Sequence, residues 1–246
     1  MCPPGVPAAV AAGGASPAPT VIRRFSVFIN SHTMGASSRK GMEQSMRLII
    51  LAGMPATGKS TAAAALQAHF GYTVLEKDRI KECLFDTIGF ESYAEKRQLD
   101  VAANTVLLSV MESLLRTGVS LIVDNNFDVE SAQALGKLLE RYTVRCVTVF
   151  FTGDPQTLYE RYFDRDSRHL RHLGHAMQTH YPPHEGESTA FSMTREGFDR
   201  RFLGRKMDCL SWGGKAIRLD ATYPEKIDMG DLIRQIEELL EEEMSC

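Results

Sequence analysis

The stretch MRLIILAGMPATGKSTAAAALQAHFG, residues 46–71, leaves this chain few folds to choose from. RLIILA is a short, unbroken apolar run, the pattern of a strand buried on both faces. STAAAALQAHF reads as a helix, with Gly71 placed to end it. Between the two, Gly53 to Ser60 match G-x-x-x-x-G-K-[ST]. A buried strand before and a helix after form the context in which that pattern has a mechanism. The glycines let the backbone curl until successive N–H groups point inward at a helix N-terminus, making a nest for an anion. Gly53, Pro55, Ala56, Thr57, Gly58, Lys59, Ser60 and Thr61 are therefore expected to cradle nucleotide phosphates. Within that cradle, Lys59 would reach the β- and γ-phosphates and Ser60 would offer its hydroxyl to Mg2+.

From Met46 onward strand and helix patterns alternate, which predicts parallel βαβ units and a sheet covered on both faces. The second strand is YTVLE (72–76), followed by a helix over 79–88 and a long amphipathic helix over 92–117 that Gly118 stops. VSLIVDNN (119–126) is a third strand, and Asp128 is expected to cap a helix over 129–142. VRCVTVFF (144–151) is a fourth strand. Asp154-Pro155 then supplies an N-cap and an N1 proline for a helix over 155–165. An Arg- and His-rich region follows, then a short helix over 194–206, a fifth strand, AIRLDA, and a terminal helix. No internal repeat is visible.

Residues 1–45 read differently. The first twenty are rich in Pro, Ala and Gly and carry no charge, a composition that cannot bury enough surface to offset its ordering entropy. Arg23, Arg24, Arg39 and Lys40 among serines give an organelle-transit flavour; the other readings are a functional tail, or translation beginning at Met42 or Met46. The expected division is thus an extension over 1–45 and one catalytic domain over 46–246. The net charge of −3 argues against a protein that coats nucleic acid. The five cysteines show no metal-site or disulfide spacing, as a reducing cytosol permits. No apolar run is long enough to span a membrane, so a cytoplasmic protein without membrane partners is expected.

Three further groups carry chemistry. Asp78 falls just beyond the second strand, at the sheet edge where the phosphates would lie; it is either the N-cap of the next helix or a carboxylate that accepts a proton or hydrogen bond from a substrate hydroxyl. Asp124 ends an apolar strand, the position that holds water-coordinated Mg2+ in P-loop proteins, while Asn125 and Asn126 either orient substrate or build a turn. RYFDRDSRHLRHLGH carries Arg161, Arg165, Arg168 and Arg171. Those guanidiniums suit a lid, about 161–193, that closes over transferring phosphates; the alternative is a solvated face paired with Glu160, Asp164 and Asp166. The histidines of this region lack a defined carboxylate or cysteine partner for metal binding.

GMPATGKST, EKDRIKE, LIVDNNF, ERYFDR and RHLGH together resemble the P-loop kinases that include polynucleotide 5′-hydroxyl kinase domains, zeta-toxin-like kinases and chloramphenicol phosphotransferase-like enzymes, often grouped with AAA-family ATPases. The likeness covers most of residues 46–225. Lys81 stands where an arginine is common in the family, Leu173 replaces a proline, and 176–193 matches nothing in it. The resemblance implies an α/β P-loop fold with a five-stranded parallel sheet in the order 2-3-1-4-5 and an Arg-rich lid. It implies ATP and Mg2+ bound through Lys59 and Ser60, Asp78 facing an acceptor hydroxyl, and Arg161, Arg165 and Arg171 serving the lid. The activity implied is γ-phosphate transfer to a hydroxyl of a small molecule or nucleotide. The alternatives are ATP hydrolysis and a binding protein that uses nucleotide as a structural ligand. A polynucleotide acceptor is left open, but nine Lys/Arg against six Asp/Glu over 161–206 do not call for one.

Overall fold

β1 (Met46–Gly53) forms the centre of the molecule because both of its faces are apolar. In this computed structural model, which describes residues 46–187, 193–203 and 212–242, Leu48 to Ala52 are wholly shielded from solvent. The extension expected over 1–45 lies outside the described residues. Strand alternation divides β1 between two cores. Leu48, Ile50 and Ala52 face one side, with Leu107, Met111, Leu115, Leu135 and Leu138. Ile49 and Leu51 face the other, with Ala62, Leu66, Leu232, Ile236 and Leu240.

β1 pairs in parallel with β3 (Leu121–Asp124) and β4 (Val144–Thr152), while β2 (Thr73–Glu76) lies outside β3 and β5 (Lys215–Asp220) outside β4. The order is β2-β3-β1-β4-β5, as the resemblance implied. α1 (Lys59–Phe70) and α8 (Met229–Glu241) cover one face; α3 (Tyr93–Arg116) and α4 (Val129–Leu139) cover the other. The register sets the carboxyl ends of three strands side by side, with Glu76 opposite Asp124 and Asp124 opposite Leu51. That edge is where the loop after β1 opens.

α2 (Lys77–Ile88) begins two residues earlier than its sequence pattern suggests. Asp78 is therefore inside the first turn and does not cap the helix; Glu76 takes the N-cap position without a side-chain hydrogen bond. The capping reading of Asp78 is corrected accordingly. β3 ends at Asp124, before the two asparagines, because Asn125 and Asn126 leave the sheet for the site. Asp128 caps α4 as expected, with a reciprocal bond from Ser131.

α5 (Pro155–Ser167) starts from the Asp154 cap and Pro155 and packs with α7 (Arg195–Phe202) through Leu158, Tyr162, Phe198 and Phe202. The segment after α5 contains one short turn of helix, α6 (Leu173–Ala176), and lies against α2 and α3. Phe85 of α2 holds it. A Cβ at Gly174 would lie 2.4 Å from the Phe85 ring, so only glycine permits this approach. Phe90 pairs with Tyr181 through backbone hydrogen bonds of 2.9 and 2.8 Å. Within residues 161–187, then, the predicted lid is α5 followed by a packed segment; 188–192 lie outside the described residues. Among the described residues, no helix is long and apolar enough to cross a membrane.

Candidate active site

Two glycines and one alanine shape the turn between β1 and α1. Gly53 has φ 113°, and a Cβ there would meet the Phe151 carbonyl oxygen at 2.2 Å. Gly58 (φ 83°) and Ala56 (φ 61°) are both left-handed, which turns consecutive N–H groups toward the concave side. No side chain caps α1, so the free N–H groups of its first turn remain available to an anion. Thr57 closes the turn by donating to the Met54 carbonyl at 2.8 Å.

Lys59 lies back across this turn, its Nζ 2.6 Å from the Met54 carbonyl. Burial lowers its pKa to about 8, with Asp124 and Asp78 opposing the shift. Ser60 Oγ donates to Asp124 Oδ2 at 2.8 Å, joining the first turn of α1 to the end of β3. Burial pushes the Asp124 carboxyl up, which Lys59 and Ser60 offset only in part. Glu76, its neighbour on β2, is also raised, by burial and then by Asp124. Two adjoining carboxylates that favour protons, beside a serine hydroxyl, make an oxygen donor set suited to a hard divalent cation.

These residues line a cavity of about 380 Å³ together with Pro55, Ala56, Thr57, Gly58 and Thr61. Asp78, Arg165 and Arg171 line it as well. Arg171 is bound to Asp78 at 3.0 Å. Burial alone would raise the Asp78 carboxyl, but His175, Arg171, Lys77 and Lys81 hold it far below the usual carboxylate range. Asp166, fully buried, sits 3.4 Å from Arg165 Nε and 3.9 Å from Arg171 Nη1. The carboxylate thus holds Arg165 by a hydrogen bond and attracts Arg171 by charge alone, its Oδ2 having no hydrogen-bond partner among the described residues. Among the described residues, the buried Arg165 Nη2 finds no hydrogen-bond partner.

Arg161 is elsewhere. Its guanidinium donates to the carbonyls of Ala56, at 3.2 Å, Ala221, at 3.1 Å, and Thr222. It ties the turn after β1 to the end of β5 and does not line the cavity, a correction to its expected place among the lid arginines. Arg168 pairs with Asp164 at 2.8 Å on the surface, as the solvated-face alternative foresaw. Asn125 donates to Asn104 of α3 at 3.0 Å. The Oδ1 atoms of Asn125 and Asn126 are buried without partners among the described residues, and both side chains line the cavity. Sequence reasoning left these asparagines open and missed Glu76, which carried no signal; it named Asp166 only as an arginine partner on a solvated face, whereas that side chain is buried beside Arg165.

A larger hollow of about 900 Å³ lies beneath the amino-terminal ends of β4 and β5, walled in part by Trp212, Gly136 and Leu139. None of the candidate residues reaches it.

A family model described as an AAA domain matches residues 48–183. No curated protein is significantly similar in sequence. Among solved structures, a protein of Chloroflexus aurantiacus with a provisional kinase assignment superposes with a TM-score of 0.64 at 24% identity, covering 80% of this chain and 97% of that one. A protein named APE1195 gives 0.53 at 15% identity, with 81% and 99% covered. An unliganded sugar kinase from Janibacter sp. gives 0.48 at 14%, with 80% and 94% covered. At these identities the likeness is one of fold.

Proposed function

The chain belongs to the AAA domain family of P-loop proteins, and on that premise we propose that it is a kinase, moving the γ-phosphate of ATP to a hydroxyl of an acceptor. The observation that carries this reading is the pair of guanidiniums beside buried Asp166, one with a nitrogen unpartnered among the described residues, lining one cavity with Lys59 and the uncapped N-terminus of α1. Such a pair is suited to charge that develops on a transferring phosphoryl group. Hydrolysis needs only a positioned water; a carboxylate lining the same cavity gives an acceptor hydroxyl something to bind.

Each residue then has a role. The turn from Gly53 to Thr61 holds the phosphates through backbone N–H groups, and Lys59 exchanges the Met54 carbonyl for phosphate oxygens. Arg165 and Arg171 neutralise the γ-phosphate, while Arg161 keeps the turn in shape from behind. Ser60 and Asp124 fit Mg2+, which would supply positive charge between the phosphates. The acceptor oxygen attacks the γ-phosphorus, the bond to the β–γ bridging oxygen breaks, and ADP leaves with that electron pair. The acceptor proton passes to Asp78. A carboxylate held as low as Asp78 is a weak base, so it first orients the hydroxyl and takes the proton late, as a loose transition state allows. When Arg171 moves onto the γ-phosphate, Asp78 loses its nearest cation and becomes more basic.

A coupled ADP-release screen across nucleosides, sugars, antibiotics and 5′-hydroxyl oligonucleotides tests the proposal. Acceptor-dependent ADP release is expected, and Lys59→Ala should abolish it with the fold intact. Turnover unchanged by Lys59→Ala would contradict the phosphate cradle itself.

A further inference from the structure

Behind Asp78 a second cavity, about 50 Å³, shares Pro55, Lys77, Asp78, Asn126 and Arg171 with the first. On this measure a single water needs only about 10–15 Å³, so the cavity has room for one small group of several atoms. Its walls are cationic. Three of the cations are matched by one buried acid: Asp100 accepts from Lys77 at 2.5 Å, Lys81 at 2.6 Å and Arg97 at 3.2 Å. Arg171 is matched by Asp78. Lys96 and Arg201 remain. Among the described residues neither meets a carboxylate within ion-pair distance. Lys96 donates to the carbonyls of His175, at 2.9 Å, and Met177, and Arg201 lies 5.4 Å from the Phe202 ring.

Lys96 is 2% exposed. Burial, then Arg201, Lys81 and Arg171, lower its pKa to about 6. At that value Lys96 rests as a largely neutral amine at pH 7, its hydrogen bonds taken by two carbonyls. Arg201, Lys81 and Arg171 keep the corner positive, and an anion entering it supplies the counter-charge that lets Lys96 hold a proton. A neutral Lys96 already ties α3 to the segment at 175–177 through these two carbonyls. That tie would not need Arg201 beside it, nor three cations sharing one acid.

We infer that the acceptor bears an oxyanion, a phosphate or carboxylate, which docks by Lys96 and Arg201 in this cavity while the acceptor hydroxyl lies at Asp78. The inference rests on the kinase reading and narrows it to small anionic hydroxy compounds. The cationic corner is small and holds one group, unlike the long basic groove that tracks a polynucleotide.

The test begins with the full chain saturated by AMP-PNP and Mg2+, so that the phosphate cradle is occupied. Inorganic phosphate is then titrated in a calorimeter. One phosphate is expected to bind per chain, at least tenfold more weakly in Arg201→Gln and in Lys96→Met, with circular dichroism confirming both folds. Binding of AMP-PNP with no binding of phosphate, or phosphate binding equal in wild type and both variants, would overturn the inference and leave the kinase reading standing. Failure of AMP-PNP to bind would overturn both. Paired acceptors separate the sources of the anion: ribose 5-phosphate against ribose, and glycerate against glycerol. At least tenfold higher kcat/KM for the anionic member of one pair supports the inference and names the source. A preference for neutral members, or transfer to 5′-hydroxyl oligonucleotides alone, overturns it.

Discussion

His175 shows how one side chain can report on the state of the site. It packs against the Phe85 ring, bonds Glu82 at 3.1 Å and gives its backbone carbonyl to Lys96. Burial, then Arg171, lowers its pKa from 6.5 to about 4, with Glu82 and Asp78 opposing. Between those values the unfolded chain binds a proton that the folded chain refuses. The stability from a neutral His175 is therefore complete above about pH 6.5 and lost as pH falls toward 4, amounting to roughly 3 kcal/mol at about 1.36 kcal/mol per unit. Denaturant melts from pH 7 to 4 should show that loss in the wild type and a flatter limb in His175→Gln. Equal slopes would mean that His175 takes its proton in the fold as readily as in the unfolded chain. The residues of the phosphate cradle were legible in the sequence because their spacing carries the mechanism. Arg161 and Arg165 could not be told apart, since four residues on one helix separate a guanidinium held by carbonyls from one that lines the cavity.

At the scale of elements, the strands and most helices were legible because apolar runs and caps such as Asp128, Asp154 and Gly71 are local signals. The start of α2 was not, because its N-cap, Glu76, makes no capping bond and so leaves no signature. Nor was the seating of the segment after α5, which depends on contacts across some ninety residues between Phe85, His172 and His175. Gly174 is the hinge of that seating. Gly174→Ala would press a methyl group into a ring that is 1% exposed and has nowhere to move, a strain of about 1–3 kcal/mol. A lower melting temperature and faster amide exchange over 173–181 are expected. Wild-type exchange there would show that the segment does not depend on this contact.

For the whole molecule, a single sheet edge brings together the ends of β1, β2 and β3, and the cavity follows from that register. Among the described residues, the cores on both faces of the sheet are built by elements of 46–242, and a chain truncated to begin at Met46 should melt cooperatively and bind ATP like the full chain; loss of the cooperative melt would make residues 1–45 part of the domain. The central claim, transfer to a hydroxyl oriented by Asp78, is tested most directly by following the label of γ-labelled ATP in wild type and Asp78→Asn with the acceptor found by screening. The account predicts label on the acceptor in the wild type. In Asp78→Asn that transfer should fall by about 10²–10⁴-fold while nucleotide affinity holds. Label released only as inorganic phosphate by the wild type, or transfer by Asp78→Asn at the wild-type rate, would contradict it.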